Sequence, residues 1–167
     1  MQYFNLMIRE MLGQYYPARR VKPYNLWIGS QQDSTNRDAA TRHNIGLVVN
    51  CTRTLPFKIP NVAKYRVPVD DTPADAPIMA VHLPEAVAII DEHLLDGQGV
   101  LVHCHAGVSR SASVVAAYLM SKEGLTPEQA IAHVKRCKPE TFSNGTNFIK
   151  ALRSVTKSAQ SRRSTCV

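Results

Sequence analysis

An α/β fold, a sheet covered by helices, is predicted for this chain, and three observations predict it. Short apolar, β-branched runs such as Leu47-Val48-Val49 and Gly99-Val100-Leu101-Val102 have the character of buried strands. Between them lie segments with helical spacing, as in Leu83, Ala86, Val87, Ile90 and Leu94. No internal repeat or interdomain linker interrupts the 167 residues, which suits a single domain with a sizeable core.

Taken in order, residues 2–14 are expected to form a short helix within an N-terminal helical extension over 1–23. Asn25-Leu26-Trp27-Ile28-Gly29 reads as a strand ended by glycine, and Asp33 to His43 as a helix. Leu47 to Cys51 and Lys64 to Val69 read as two further strands. Prolines and aspartates make Asp70 to Pro77 a loop. The long amphipathic helix through Leu83 and Leu94 is closed by Gly97. The strand Gly99 to Val102 follows, then a helix from Ser111 to Met120, apolar on nearly every face and so expected to be covered. Thr126-Pro127-Glu128-Gln129 combines an N-cap, a proline at N1 and glutamine at N3, a capping box. That helix should reach Cys137 and stop before Pro139, and a last helix should span Ser143 to Thr156. The expected domain is 1–157, with Ser158 to Val167 a frayed basic tail.

Composition narrows the class. No run approaches the roughly 18 apolar residues of a membrane span. Met1 to Leu12 contains Arg9 and Glu10 and lacks a small-residue cleavage site, so no signal peptide is expected. The four cysteines, at 51, 104, 137 and 166, lack zinc spacing; this suits a reducing compartment, the cytoplasm or nucleus, and no metal site. The net charge of +7 favours anionic partners: phosphoproteins, anionic lipids or RNA, reached through a basic surface. Oligomeric state is not encoded legibly.

The chemistry lies in His103-Cys104-His105-Ala106-Gly107-Val108-Ser109-Arg110-Ser111. An apolar strand leads in and a helix leads out, so these residues form a tight loop at a helix N-terminus. Unpaired N–H groups and the helix dipole make that junction an anion site, and successive loop N–H groups form a nest. A thiol beside a helix N-terminus and a cation has its pKa lowered, to roughly 3.5–7.5. Cys104 is therefore the candidate nucleophile. Arg110 offers a planar fork for two phosphoryl oxygens. Gly107 permits the tight turn. The Ser111 hydroxyl is placed to donate to the sulfur and make it a better leaving group from a thiophosphate. An acid facing Cys104 is also needed to protonate the leaving oxygen.

His-Cys, five residues, then Arg and Ser resembles the signature of the cysteine-dependent protein tyrosine phosphatases, and HCHAGVSRSAS is most similar to the dual-specificity branch. The resemblance covers about residues 24–156 and implies a mostly parallel five-stranded sheet flanked by helices. It implies hydrolysis of phosphotyrosine and of phosphoserine or phosphothreonine through a cysteinyl-phosphate, without a cofactor. Its general acid is an aspartate on the loop after a strand. Asp71 matches best, with Asp70 and then Asp75 as alternatives. His103 is implied to orient the cysteine region. His105, Ala106, Val108 and Ser109 are implied to supply backbone N–H groups to the pocket. Lys138 matches a basic residue that binds a second phosphate in several members; a cation complementing a helix C-terminus is the competing reading. Cys51 is either a small core residue or a redox partner of Cys104. A phosphoinositide or RNA 5′-phosphatase, and an inactive phosphate-binding module, stand behind the protein phosphatase as alternatives.

Overall fold

The computed structural model describes residues 17–155. Its strands are β1 (Arg19–Arg20), β2 (Leu26–Gly29), β3 (Ile45–Asn50), β4 (Ala63–Arg66) and β5 (Gly99–His103). Its helices are α1 (Arg37–Arg42), α2 (Ala76–Leu95), α3 (Arg110–Glu123), α4 (Pro127–Cys137) and α5, helical over 149–155. The sheet order is β1-β2-β5-β3-β4; only β1 runs antiparallel to its neighbour. This is the mostly parallel five-stranded sheet expected.

β5 sits at the centre and is buried at all five positions, as its unbroken apolar run requires. Its period of two splits the core. Val100 and Val102 face the larger core, with Leu47, Val49, Leu26, Ile28 and the inner faces of α2 and α3. Leu101 and Val48 face the other side, under Ala40 of α1 and Ile59. Every residue of α3 from Ser111 to Met120 is buried, so the helix that starts at the signature loop is held on all sides.

Several expected elements have different bounds. Residues 17–23 are not helical. Val21 N–H bonds Leu26 O at 2.7 Å, turning the chain so that Arg19–Arg20 pairs with β2. The Asp33 to His43 helix is broken at Asn36, whose side chain accepts the Ala39 N–H at 2.9 Å and starts α1; Asp33–Thr35 is a 3₁₀ turn. The β4 ladder ends at Arg66, although Val67 and Val69 remain buried. Pro77 belongs to the first turn of α2 rather than to the preceding loop. Residues 143–148 are irregular, and the last helix begins at 149. Gly97 closes α2 with φ 77°, and the capping box of α4 forms both of its bonds, at 3.2 and 2.9 Å. The helix at 2–14, the boundary at 157 and the tail lie outside the described residues. Among the described residues, no helix is long and apolar enough to cross a membrane.

Candidate active site

Parallel strands deliver their C-terminal ends to one edge of the sheet, and the site is built there. Cys104 follows β5 directly and is buried. The loop it opens comes close to the end of β2. Gly107, at φ 70°, lies so near that a Cβ would sit 2.6 Å from Gly29 O. Only glycine meets both demands. The loop is pinned on two flanks. Gln31 N–H donates to His105 O at 2.9 Å, and Phe142 N–H to Val108 O at 2.9 Å.

Among the described residues, the N–H groups of His105, Ala106, Gly107, Val108 and Ser109 find no acceptor. They belong to the turn that enters α3, so the backbone presents a cluster of donors at a helix N-terminus. Cys104 Sγ lies 3.3 Å from Ser111 Oγ in this cradle. Arg110 Nη1 donates to Val69 O at 3.3 Å, and its buried Nε has no acceptor among the described residues. The guanidinium is thus anchored at one corner, with donors left for an anion.

His103 is fully buried on the last position of β5. Its Nδ1 lies 3.3 Å from Cys104 O. A carbonyl only accepts, so that bond requires the proton on Nδ1. Nε2 is buried without a partner among the described residues, so a second proton would have nowhere to go. Burial accordingly pushes the ring's pKa down to about 4.

The three candidate aspartates are separated by what they touch. Asp71 faces the signature loop. Its Oδ1 accepts the Ser109 hydroxyl at 2.8 Å and Asn147 Nδ2 at 2.9 Å, while Asn147 Nδ2 also bonds Asp71 O at 2.9 Å. With Oδ1 taking two donors, Oδ2 is the oxygen left to carry a proton. Asp70 and Asp75 instead both pair with Arg53. Asn147 and Arg53 were not singled out in the sequence. The Ser-Asn-Gly-Thr-Asn run at 143–147 is rich in turn formers and is the signal that places Asn147 in a loop.

Lys138 does not reach the mouth of the site. It is 0% exposed, and its Nζ donates to Glu140 at 3.0 Å and to Pro17 O at 3.3 Å. A buried ammonium needs such partners, so the second-phosphate role is corrected to a structural one. Cys51 is fully buried beside the start of the loop, its N–H bonding His103 O at 2.8 Å. Burial, and then the neighbouring Cys104, push its thiol pKa well up. Among the described residues, no group of three or more His, Cys, Asp or Glu side chains could hold a metal ion.

The arrangement combines a buried cysteine sulfur, a cluster of N–H donors without acceptors and a carboxyl group bonded to the same loop. The family model described as dual specificity phosphatase, catalytic domain, matches residues 26–158. The chain is 38% identical over 125 residues to dual specificity protein phosphatase Mpk3 of Drosophila melanogaster, covering 73% of this chain and 30% of that protein. It is 34% identical over 135 residues to dual specificity protein phosphatase 1 of Arabidopsis thaliana, covering 81% of this chain and 67% of that protein. A crystal structure of human DUSP28 superposes with a TM-score of 0.79 at 34% identity, over 87% of this chain and 96% of that one.

Proposed function

This chain belongs to the dual-specificity phosphatase catalytic-domain family, and we propose that it hydrolyses phosphotyrosine and phosphoserine or phosphothreonine esters of proteins through a cysteinyl-phosphate. The observation that carries the reading is the placement of Cys104 Sγ inside a loop of acceptor-free N–H groups, with Asp71 bonded to the same loop through Ser109.

In the first step Cys104 Sγ forms a bond to phosphorus and the bond to the ester oxygen breaks. The N–H groups of His105 to Ser109 and the Arg110 fork hold the three remaining oxygens, where charge develops. Asp71 delivers its proton from Oδ2 to the leaving oxygen. In the second step water attacks phosphorus, Asp71 takes a proton from it, and the sulfur leaves. The Ser111 hydroxyl, 3.3 Å from Sγ, donates to the departing thiolate. Lys138 has no place in this scheme. The free thiols of Cys51, Cys104 and Cys137 suit a reducing compartment, which favours the cytoplasm or nucleus.

The test is a panel of phosphotyrosyl and phosphothreonyl peptides, a phosphoinositide and triphosphate-ended RNA, with wild type, Cys104→Ser and Asp71→Asn. Both peptides should be hydrolysed, and Cys104→Ser should abolish turnover while still binding phosphate. Asp71→Asn should lose roughly 10²–10⁴-fold, most on serine and threonine esters. Turnover of the lipid or RNA alone would move the substrate class. Turnover by Cys104→Ser within tenfold of wild type would end the covalent mechanism.

A further inference from the structure

Arg53 belongs neither to the signature loop nor to the segment that carries Asp71; it lies on the connection after β3. Its guanidinium nonetheless bridges two carboxylates of that segment. Nε donates to Asp70 Oδ2 at 2.9 Å and Nη2 to Asp75 Oδ2 at 2.7 Å. The same oxygen of Asp75 accepts the Asp70 main-chain N–H at 2.7 Å. Asp70 immediately precedes Asp71 and Asp75 lies four residues beyond it, so one cation ties the segment on both sides of the acid.

The base of this clamp is itself held. The Asn50 side chain accepts Thr52 N–H at 3.1 Å and the Thr52 hydroxyl at 2.7 Å, and donates to Leu55 O at 2.8 Å. Arg66 donates to Thr52 O at 2.8 Å and to Leu55 O at 2.9 Å. The backbone on either side of Arg53 is therefore fixed by two side chains, one of them buried. A lone surface ion pair is worth little. This one differs at Asp75, which is only 13% exposed, although Arg53 and Asp70 are 42% and 61% exposed; the fork reads two carboxylates, and the backbone that carries it is hydrogen-bonded on both sides.

We propose that Arg53 is a positioning residue for the general acid: by clasping Asp70 and Asp75 it holds residues 70–75 so that Asp71 stays over the signature loop. Asp70 and Asp75 then serve as ionic anchors. The proposal rests on the reading of Asp71 as the acid, and the experiment separates the two.

Steady-state kinetics of the full chain are measured on aryl phosphates of graded leaving-group acidity and on a phosphothreonyl peptide. The variants are Arg53→Ala, Arg53→Lys, Asp70→Asn combined with Asp75→Asn, and Asp71→Asn. The rate of Cys104 alkylation by iodoacetate reports the integrity of the signature loop. Arg53→Ala should lower kcat/KM, which reports phosphoryl transfer to Cys104, about tenfold for poor leaving groups, as a small misplacement of a catalytic group does. It should leave kcat/KM for the best leaving groups and the alkylation rate unchanged. Arg53→Lys should recover only part of the loss, because an ammonium cannot fork two carboxylates. The double asparagine variant should reproduce the loss, and adding Arg53→Ala to it should cost nothing more. If Asp71→Asn is sensitive to the leaving group but Arg53→Ala is at wild-type level, or loses equally on every substrate, the clamp is overturned alone. If Asp71→Asn shows no leaving-group dependence, the acid assignment is overturned and the clamp with it.

Discussion

Acid should destabilise this protein in part through one buried residue, His103. In the folded chain the ring is fully buried, and its pKa is pushed from 6.5 to about 4. In the unfolded chain it returns to the ordinary value. Between those two values the unfolded state binds a proton that the folded state refuses, so stability rises with pH across the window. The contribution is complete above about pH 6.5 and is lost as the pH falls toward 4. A shift from 6.5 to about 4, at 1.36 kcal/mol per unit, makes about 3 kcal/mol. For a chain of 167 residues each kcal/mol moves Tm by roughly 2–4 °C, so the effect is about 6–12 °C.

The assay is thermal unfolding from pH 7.5 to 3.5 for wild type and His103→Asn. Asparagine keeps an N–H donor for Cys104 O but has no titrating ring. Its packing cost is the same at every pH, and other acid-sensitive groups are common to both proteins. The stability gap between the two should therefore narrow by about 3 kcal/mol as the pH falls from 6.5 to 4. A gap that stays constant across that window would refute the reasoning, as would an NMR titration of the His103 ring with a midpoint near 6.5. The same argument removes His103 from the candidate bases, since it stays neutral and Nδ1-protonated throughout the range of a phosphatase assay.

Two further predictions concern the loops around the sulfur. Asn147→Ala removes both bonds to Asp71 and should lower kcat/KM for alkyl phosphates about tenfold, the scale of one charge-assisted hydrogen bond, with Cys104 alkylation unchanged; an equal loss of kcat/KM on all leaving groups would show that Asn147 does not act through the acid. Gly107→Ala places a Cβ 2.6 Å from Gly29 O at φ 70°, a strain of roughly 1–3 kcal/mol, and should abolish competitive inhibition by inorganic phosphate along with turnover; wild-type inhibition would deny the close approach.

The strand, loop and helix around Cys104 were legible because their determinants are local. An unbroken apolar run, a glycine and a helix apolar on every face all lie within residues 99–120. The capping box of α4 and the closing Gly97 of α2 were legible for the same reason. Elements decided by remote partners were not. Nothing periodic marks Arg19–Arg20 as a strand; it exists because the turn at 21–26 brings it against β2. Sequence places Asn147 in a helix over 143–156, yet the helix begins two residues after it, and its partner Asp71 is 76 residues away in the chain. A lysine at a helix end has the same sequence signature whether it faces water or, like Lys138, turns inward onto Glu140 and Pro17.

The choice among Asp70, Asp71 and Asp75 shows why a site can be legible while one of its members is not. On an irregular segment, adjacent side chains point in directions that only their partners settle. Asp71 turns to Ser109, 38 residues on, while Asp70 turns to Arg53, 17 residues back. Both partners are available because β3, β4 and β5 are parallel and release their chains at one edge. The segments starting at Cys51, Val67 and Cys104 therefore leave the sheet side by side. Cys104 comes from the segment after β5, Asp71 from the one after β4 and Arg53 from the one after β3. β3 and β5 are apolar and largely buried, as strands of a parallel sheet covered by helices are, and parallel strands need crossover connections. Parallel pairing in turn brings three distant loops together, and only there does one aspartate become different from its neighbours.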